Sequence, residues 1–494
     1  MSVGERSETS GLQRGKILAL IAALLGWLFD GFEMGLFPVI SRPALTELLS
    51  QGGELSGQEL EGQVGLWNSI AIAAFLIGAA AGGVLFGWLG DRVGRVRAMS
   101  FSILTYALFS GLGAFADSAW QIILVRFVAA LGMGGEWSLG VALVMEVWGG
   151  RSRGLLAGLI GAAANAGYAL VALVSLGLGS IRATIGEWGL SSSWVEWRLL
   201  MLCGVLPAFL TLFIRQFVPE SKTWENERER GSTSAWATKD LVGVMFGVLA
   251  CWGVIYLWSQ PVSIIARAGG TLLAVAIAGL GYLYPASRFL SRSNTTDQHA
   301  TQIIKRMLIG ALLSGVPLLG TWAAVQWAPT WADQISDKLP SAKGLTQLCS
   351  ASGSVVGGFI GAMLGMQWGR RPAYIFLCVL SLGSVWLFYL TNVSFGPWFL
   401  TSVFIMGACT ASFYGWLPLY LPELFPTKIR ATGQGFSFNF GRILAAIGAL
   451  QTGAIMSGFS GGYPHACSIM GSIYLAGLAV IWLAPETRNQ PLPE

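Results

Sequence analysis

The sequence is poor in charged residues. Asp, Glu, Lys and Arg make up 11% of its 494 residues, whereas about a quarter is usual in soluble domains. Hydrophobic residues make up 54%, and the mean hydropathy is +0.62. This composition excludes an ordinary soluble domain and indicates a membrane protein with several spanning segments. The net charge is only +5, and no basic patch alternates with aromatic residues, so we exclude nucleic acid as a partner.

Histidine and cysteine are too sparse to build the common metal sites or nucleophilic centres. The two histidines, His299 and His465, fall in predicted loops, which excludes a histidine-based triad or metal cluster. The cysteines occur singly, without the Cys-x-x-Cys spacing of metal and redox sites. They are Cys203, Cys251, Cys349, Cys378, Cys409 and Cys467. We therefore expect no cofactor, no metal and no enzymatic activity.

Long apolar runs are abundant, and fourteen of them have the length of a membrane-spanning helix. The first run contains two acids and is too long for the core of a signal peptide, so we expect it to be retained. Two runs lie in the middle of the chain, between two sets of six. The predicted spans are 16–38, 64–87, 98–116, 120–147, 154–180, 197–217, 241–258, 265–284, 304–329, 348–368, 372–391, 397–424, 431–458 and 466–484.

Lys and Arg are distributed unevenly over the segments that connect these runs. With the N-terminus inside, most of the 30 Lys and Arg residues lie on the cytoplasmic side, as is usual for membrane proteins. The bias holds only if both middle runs cross the membrane or neither does, and we expect both to cross it. We predict a multi-pass plasma membrane protein, in the inner membrane if the source is bacterial, with both termini in the cytoplasm.

Charged landmarks recur at similar offsets, which predicts that one six-helix unit is used twice. Pro219-Glu220-Ser221 ends the sixth span and Pro485-Glu486-Thr487 ends the last one. We expect an N-terminal bundle at 1–218, a cytoplasmic linker with two extra helices at 219–303, and a C-terminal bundle at 304–494. Two such bundles facing each other across a central site are the architecture of rocker-type secondary transporters.

The loop between the second and third spans carries the most specific motif. It reads Gly87-Trp88-Leu89-Gly90-Asp91-Arg92-Val93-Gly94-Arg95 and resembles the signature loop of the major facilitator superfamily. Segment 422–433 resembles the sugar-porter-related branch, and Asp30-Gly31-Phe32-Glu33 is similar to the helix 1 motif of aromatic acid:proton symporters. The resemblance covers 15–220 and 304–490, and it implies an all-α major facilitator fold with pseudo-two-fold symmetry, here with two added helices. Met366 replaces the acid of the second loop copy.

Several ionisable residues fall at bilayer depth, where each costs about 2.5–3.5 kcal/mol on insertion scales unless it has a partner or water. Asp30 and Glu33 share one face of helix 1, and Arg126 of helix 4 lies at similar depth. Because one arginine cannot neutralise two carboxylates, we predict that Asp30, Glu33 and Arg126 couple transport to a proton. Glu136 is either a second coupling site or the partner of Arg442. The alternative is a static ion pair that fixes helices 1 and 4.

Arg442 is predicted near the midplane of helix 11, where transporters of this architecture bind their cargo. Its guanidinium stays charged and can hold a carboxylate through two parallel hydrogen bonds. An organic anion would use such a group, whereas a neutral sugar would not need it. An arginine paired with an acid of the other half is the alternative. The further predicted cavity residues are Asn165, Tyr168, Trp322, Gln326, Tyr414 and Asn439.

The charged loop is predicted to act as a cytoplasmic gate. In the family it resembles, the acid of this loop engages the start of helix 11, whose dipole favours a negative charge. Asp91 matches that acid, and we expect Arg92 and Arg95 to meet Glu146 or Glu423. The alternative is that these charges only determine topology. The predicted gate residues are Gly87, Asp91, Arg92, Gly94, Arg95, Glu146, Arg153, Glu423 and Arg430.

These features predict a monomeric, proton-coupled symporter for a small organic anion, an aromatic acid or another carboxylate, working by alternating access. Its partners would be that substrate, protons and the lipid bilayer. A sugar or polyol:proton symporter is the main alternative, suggested by the motif at 422–433. A nutrient sensor without net transport is a third possibility, but its usual long cytoplasmic extension is absent from the sequence.

Overall fold

The protein is all α-helical in the computed structural model. The structure describes residues 3–50, 57–148, 152–186, 192–260, 262–293, 295–336, 339, 341–458 and 462–493. The first part contains α1 (Val3–Ser50), α2 (Gly57–Val93), α3 (Arg95–Leu112), α4 (Ala119–Val147), α5 (Ser152–Gly186), α6 (Ser192–Cys203) and α7 (Pro207–Phe217). The middle contains α8 (Lys222–Glu229), α9 (Val242–Ser259) and α10 (Ile264–Arg292).

The described residues of the last part of the chain form ten further helices. They are α11 (Asp297–Ala323), α12 (Ala328–Ile335), α13 (Ala342–Trp368), α14 (Arg370–Thr391), α15 (Pro397–Ala411), α16 (Phe413–Tyr420), α17 (Arg430–Asn439), α18 (Gly441–Gly458), α19 (Gly462–Gly471) and α20 (Ile473–Val480). Within the described residues, 12 helical segments are long and apolar enough to cross a membrane, and they include both helices of the linker.

Several of the fourteen predicted spans are interrupted helices among the described residues, and two of them are not among those 12 segments. The predicted span 197–217 is divided into α6 and α7, because Pro207 occupies the first position of α7 and cannot donate a helical hydrogen bond. The predicted span 431–458 is divided at Phe440, whose carbonyl accepts from Ile443 N at 3.0 Å in a tighter, three-residue turn. This second break lies directly before Arg442, and it places that side chain at the start of α18.

The same sharp turn joins two consecutive helices in each half. Gly94 separates α2 from α3 with φ +115°, and Gly369 separates α13 from α14 with φ +100°. Both values are in the region that residues with a Cβ rarely adopt, so each turn requires glycine. The backbone N–H of the residue after each glycine then bonds to a glutamate, Arg95 to Glu220 and Arg370 to Glu486, both at 2.9 Å. The internal repeat is thus reproduced in detail.

Glycines also allow close helix packing in both halves. A Cβ on Gly134 would collide with the Ala79 carbonyl across the α2–α4 contact, and a Cβ on Gly357 would collide with the Ala408 carbonyl across the α13–α15 contact. Without a hydrophobic driving force inside the bilayer, such close backbone approach supplies much of the attraction between helices.

The linker helices α9 and α10 pack against each other and touch both halves. Trp252 of α9 contacts Phe127 of α4, with ring centroids 5.5 Å apart, and Tyr282 of α10 contacts Phe440 at 6.4 Å. Their other side is strongly apolar and exposed, as shown by Ile265 at 81% exposure. This is the surface expected of helices that face lipid hydrocarbon.

The glycine contacts give a testable stability difference. We expect Gly357→Ala to destabilise the protein by about 1–3 kcal/mol, because the added methyl group forces α13 away from α15. Gly383→Ala is the matched control, since a Cβ there would meet no atom within 4 Å. The control should be neutral or stabilising by up to about 1 kcal/mol. Thermal unfolding of both purified variants checks this, and equal shifts would contradict the packing described.

Candidate functional site

A central cavity lies between the two halves. Its volume is about 110 Å³, and its walls come from α1, α4 and α5 on one side and from α11 to α13 and α15 to α18 on the other. Six predicted site residues line it: Asp30, Asn165, Tyr168, Gln326, Tyr414 and Arg442. The structure thus brings together residues that are more than 400 positions apart in the sequence.

Arg442 presents unused donors to this cavity. Its side chain is buried, with 4% exposure, and its Nε and Nη1 groups have no hydrogen-bond partner among the described residues. The guanidinium lies over the ring of Phe438, 5.4 Å from the centroid, and its electrostatic partners are Asp30 and Tyr414. A buried guanidinium with free N–H groups is a site for an anionic oxygen ligand.

Arg126 pairs with one of the two helix 1 acids only. Its Nη1 lies 2.6 Å from Glu33 Oε1, and Ser110 donates to the other oxygen of the same carboxylate. All three side chains are outside the cavity lining. The sequence placed Asp30, Glu33 and Arg126 in one group that a proton would balance, whereas the ion pair in the structure joins only Glu33 and Arg126. A separation of three residues turns the two carboxylates toward different neighbours.

Asp30 instead faces a second acid. Its carboxyl group lies near the Glu136 carboxyl group, both side chains are buried, and neither Glu136 oxygen has a hydrogen-bond partner among the described residues. Two carboxylates can sit this close only when one of them holds a proton. Together with Arg442, the group therefore contains two acids and one permanent cation. Glu136 faces Asp30 rather than pairing directly with Arg442.

Two predicted cavity residues lie elsewhere. Trp322 packs against Phe75, with ring centroids 5.8 Å apart, and Asn439 donates to the Gly134 carbonyl at 2.9 Å. Neither belongs to the cavity lining. The amide of Asn439 is drawn into the contact between α17 and α4, where it satisfies a buried backbone carbonyl. Their polarity suggested a role in the cavity, but the rotation of each helix directs them away from it.

The structure adds cavity residues that polarity alone did not indicate. Trp137 lines the cavity and stacks on Phe438, with the ring centroids 3.9 Å apart. This ring belongs to the Gly-Gly-Glu-Trp sequence at 134–137. Gln347 also lines the cavity, and it donates to the Tyr168 carbonyl at 3.2 Å, while Tyr168 donates to Gln326 at 2.8 Å. These bonds join the two halves at the cavity wall.

The predicted contact of Asp91 with the start of helix 11 is present. The carboxylate accepts from Ala431 N at 3.2 Å, from Thr432 N at 2.8 Å and from Thr432 Oγ1 at 2.6 Å. These groups are at the N-terminus of α17, where the helix dipole favours an anion. Gly87 permits the approach, because a Cβ there would meet the Ala431 carbonyl.

Arginines extend this contact into a network that joins the halves. Arg95 bonds to Asp91 at 2.8 Å, to Glu146 at 3.1 Å and to the Thr427 carbonyl at 2.8 Å. Arg430, from the opposite half, reaches the same Glu146 oxygen at 3.0 Å. The charged side chains of this group are buried and paired, so they hold the two halves together at this end.

Arg92 does not take part in that network. It donates to Thr238 Oγ1 at 2.6 Å and lies over the ring of Trp88, 5.0 Å from the centroid. The expectation that Arg92 meets Glu146 or Glu423 is therefore wrong. The residue follows Asp91 directly, and the helical turn there directs its side chain toward the linker.

The second half repeats the network without its acid. Arg370 forms two hydrogen bonds with Glu423, at 2.6 and 2.9 Å, as Arg95 bonds to Glu146. At the position of Asp91, Met366 lies against Gly154 at the start of α5. Arg153 interacts with Glu423 only at longer range. The two networks are therefore unequal, as expected from the sequence.

Comparison with known proteins now gives the family. The family model described as "Sugar (and other) transporter" matches residues 18–249 and 262–490. The chain belongs to this family, a branch of the major facilitator superfamily. It is therefore a multi-pass membrane transporter, not an enzyme.

Individual members of the superfamily match nearly the whole chain. The cis,cis-muconate transport protein of Acinetobacter baylyi is 24% identical, over 96% of this chain and 95% of the relative. The gallate transporter of Pseudomonas putida is 23% identical, over 94% and 91%. The solved structure of the proton:xylose symporter XylE has a TM-score of 0.66 at 19% identity and covers 97% of both chains. The similarity to the XylE structure shows the fold alone.

The charged network predicts a specific effect of losing Asp91. In Asp91→Asn the contacts to α17 lose their charge and Arg95 loses a partner, so the two halves should separate more readily at this end. We expect transport to fall at least tenfold while the amount of protein in the membrane is unchanged. Arg92→Gln, in the same loop, should cause a smaller loss because Arg92 contacts the linker and Trp88 and does not contact the opposite half.

Distances between spin labels on the two halves at this end test the cause. Asp91→Asn should shift the distribution toward longer distances, and Arg92→Gln should leave it close to that of the unmodified protein. Unchanged distances and transport in Asp91→Asn would contradict a closing role.

Proposed function

We propose that this transporter carries a small organic anion, an aromatic acid or another carboxylate, together with a proton by alternating access. The observation that carries the proposal is Arg442, a buried guanidinium that lines the central cavity with unused donors. A carboxylate would satisfy those donors in a bidentate pair. The muconate and gallate transporters among the relatives agree with this substrate class.

The aromatic walls favour a flat apolar body next to the carboxylate. Trp27, Trp137 and Phe438 line the same cavity as Arg442, and the guanidinium is already held over the Phe438 ring. Ring faces of this kind stack on a planar substrate at centroid distances of about 4.5–7 Å. The cavity thus offers both a guanidinium for the carboxylate and aromatic side chains for the ring of a small aromatic acid.

A sugar is the competing cargo. Hexoses are bound through many neutral hydrogen bonds, and the cavity amides are largely engaged: Asn165 donates to the Gly161 carbonyl at 2.8 Å, and Gln326 accepts from Tyr168. A sugar would also bring no negative charge to the unused donors of Arg442. These two points favour the anion.

Proton coupling follows from competition for Arg442. In the empty site the guanidinium interacts with Asp30, and one proton is shared between Asp30 and Glu136. A bound carboxylate takes over the guanidinium, and Asp30 then needs a proton of its own to stay in the apolar interior. Anion and proton therefore bind together, and each strengthens the binding of the other.

Glu33 and Arg126 keep a supporting part in this coupling proposal. Their ion pair balances the second acid of helix 1, so the exchangeable proton is confined to Asp30 and Glu136. The same pair ties α1 to α4, which carries Glu136. The charged network around Asp91 would close one side of the cavity, which we place in the cytoplasm, and it would break when the halves rock apart.

Uptake by proteoliposomes tests the substrate class. With an imposed pH gradient, we expect accumulation of benzoate-like acids and not of hexoses. Arg442→Gln should raise KM for the acid about 100-fold, because a buried charged hydrogen-bond pair is lost. Arg267→Gln, which removes an arginine from the linker, is the matched control and should transport normally. Hexose uptake that is indifferent to Arg442→Gln would establish the sugar alternative.

Asp30→Asn and Glu136→Gln test the coupling. Neither variant can exchange a proton at the altered position, so pH-driven accumulation should be lost. Exchange of labelled for unlabelled substrate at equal pH should remain, because the cavity and Arg442 are kept. The two assays on one preparation separate coupling from folding. Continued accumulation against the gradient in both variants would refute the proposed proton site.

A further inference from the structure

A second concave surface lies on the lipid-facing side of the C-terminal half. It has a volume of about 600 Å³ and lies between the end of α13, the first turns of α14 and the segment after α20. Its apolar wall is made of large exposed side chains, including Trp482 at 63% and Trp368 at 47% exposure. We call it the α14 groove, and it is lined by Trp368, Arg371, Pro372, Ile375, Phe376, Val379, Trp482 and Glu486.

The groove has the dimensions and polarity of a lipid site at the membrane surface. From Arg371 to Val379 it follows α14 for about 12 Å, at 1.5 Å per residue. Its charged residues are at the helix end and its apolar residues lie deeper along the same helix. Two tryptophans flank it, and tryptophan is enriched at the level of lipid headgroups. A polar headgroup at the end and an acyl chain along the helix would match this gradient.

The polar end offers one cation and one anion that are not paired with each other. Arg371 Nε donates to the Ala484 carbonyl at 2.7 Å, which fixes the guanidinium plane. Its two terminal nitrogens form no hydrogen bond or ion pair with any described residue. The Glu486 carboxylate accepts from Arg370 N and Arg371 N, at 2.9 and 3.0 Å. No ion pair joins the Arg371 and Glu486 side chains among the described residues.

Glu486 is charged at neutral pH. Burial alone would raise its pKa, but the backbone N–H groups of Arg371 and Arg370 that donate to the carboxylate lower the pKa below its usual value. A negative charge therefore stands beside the free guanidinium. This arrangement complements a ligand with its own positive and negative group and is less suited to a purely anionic one.

The corresponding position in the N-terminal half is closed. By the internal repeat, Val96 stands where the second half has Arg371, and it is buried. Trp224 of α8 covers this side of the turn: its ring lies 3.3 Å from where a Cβ on Gly94 would be, and its Nε1 donates to the Asp91 carbonyl at 2.9 Å. The open groove and its arginine are thus particular to the second half, and the repeated fold does not require them.

We propose that the α14 groove binds a zwitterionic phospholipid with a primary ammonium headgroup, with the phosphate on Arg371, the ammonium on Glu486 and an acyl chain along α14. The ammonium can donate hydrogen bonds to the carboxylate, whereas a trimethylated headgroup cannot. Phosphatidylethanolamine is the common lipid of this chemistry. The proposal concerns a surface outside the cavity, so it does not depend on the identity of the transported substrate.

The test compares three lipids with identical chains. The purified full-length protein in detergent is titrated with phosphatidylethanolamine, phosphatidylcholine and phosphatidylglycerol, and bound lipid is counted by native mass spectrometry. We expect the ethanolamine lipid to bind about tenfold more tightly than the choline lipid, since a charged hydrogen bond is lost on methylation. Arg371→Gln should lower its affinity about tenfold. Arg97→Gln removes an exposed arginine two residues into α3, away from the groove, and should have no effect.

Two outcomes would overturn the proposal. Equal affinity for the three lipids, unaffected by Arg371→Gln, would mean that the groove holds only unspecific boundary lipid. Tightest binding of phosphatidylglycerol would mean that Arg371 acts alone and that Glu486 does not select the headgroup. The comparison of ethanolamine with choline lipid needs no substitution at Glu486, whose loss could unfold the start of α14.

Discussion

A charged side chain inside a bilayer needs a partner, and this requirement explains most of the polar structure of the protein. Glu33 is neutralised by Arg126, Arg95 by Asp91 and Glu146, and Arg370 by Glu423. The charged residues at the cavity are not paired in this way. Arg442 keeps unused donors, and Asp30 and Glu136 face each other. Such an arrangement is costly in a permanent structure, and it is useful in a site that binds an anion and a proton together.

The duplicated architecture supplies a rigid frame for that site. The two halves are not identical, and their charged turns make different contacts. The turn at Gly94 and the turn at Gly369 are built alike, down to the glutamate that binds the following backbone N–H. Only the first turn carries an acid that contacts the opposite half, because the second turn has Met366 at the position equivalent to Asp91. The linker covers the first turn, whereas the second is open toward lipid.

Much of the fold could be read from the sequence, because hydropathy and charge follow simple rules in a membrane. The apolar runs, the repeat and the contact of Asp91 with helix 11 all depend on position along the chain. The unpredicted features depend on helix rotation. A turn of 100° per residue decides that Glu33, not Asp30, meets Arg126, that Asn439 joins α4, and that Arg92 reaches Thr238. The helix break at Phe440 directs Arg442 into the cavity. No proline lies near this position, so the sequence did not indicate the break.

Substrate-linked proton uptake tests the central claim most directly. Benzoate is added to the purified transporter in weakly buffered detergent solution near neutral pH, and the pH change is read with an indicator dye. The account predicts uptake of about one proton for each anion bound, and binding without uptake in Asp30→Asn. Binding of benzoate to the unmodified protein with no proton uptake would contradict the claim that anion and proton share the Arg442–Asp30–Glu136 group.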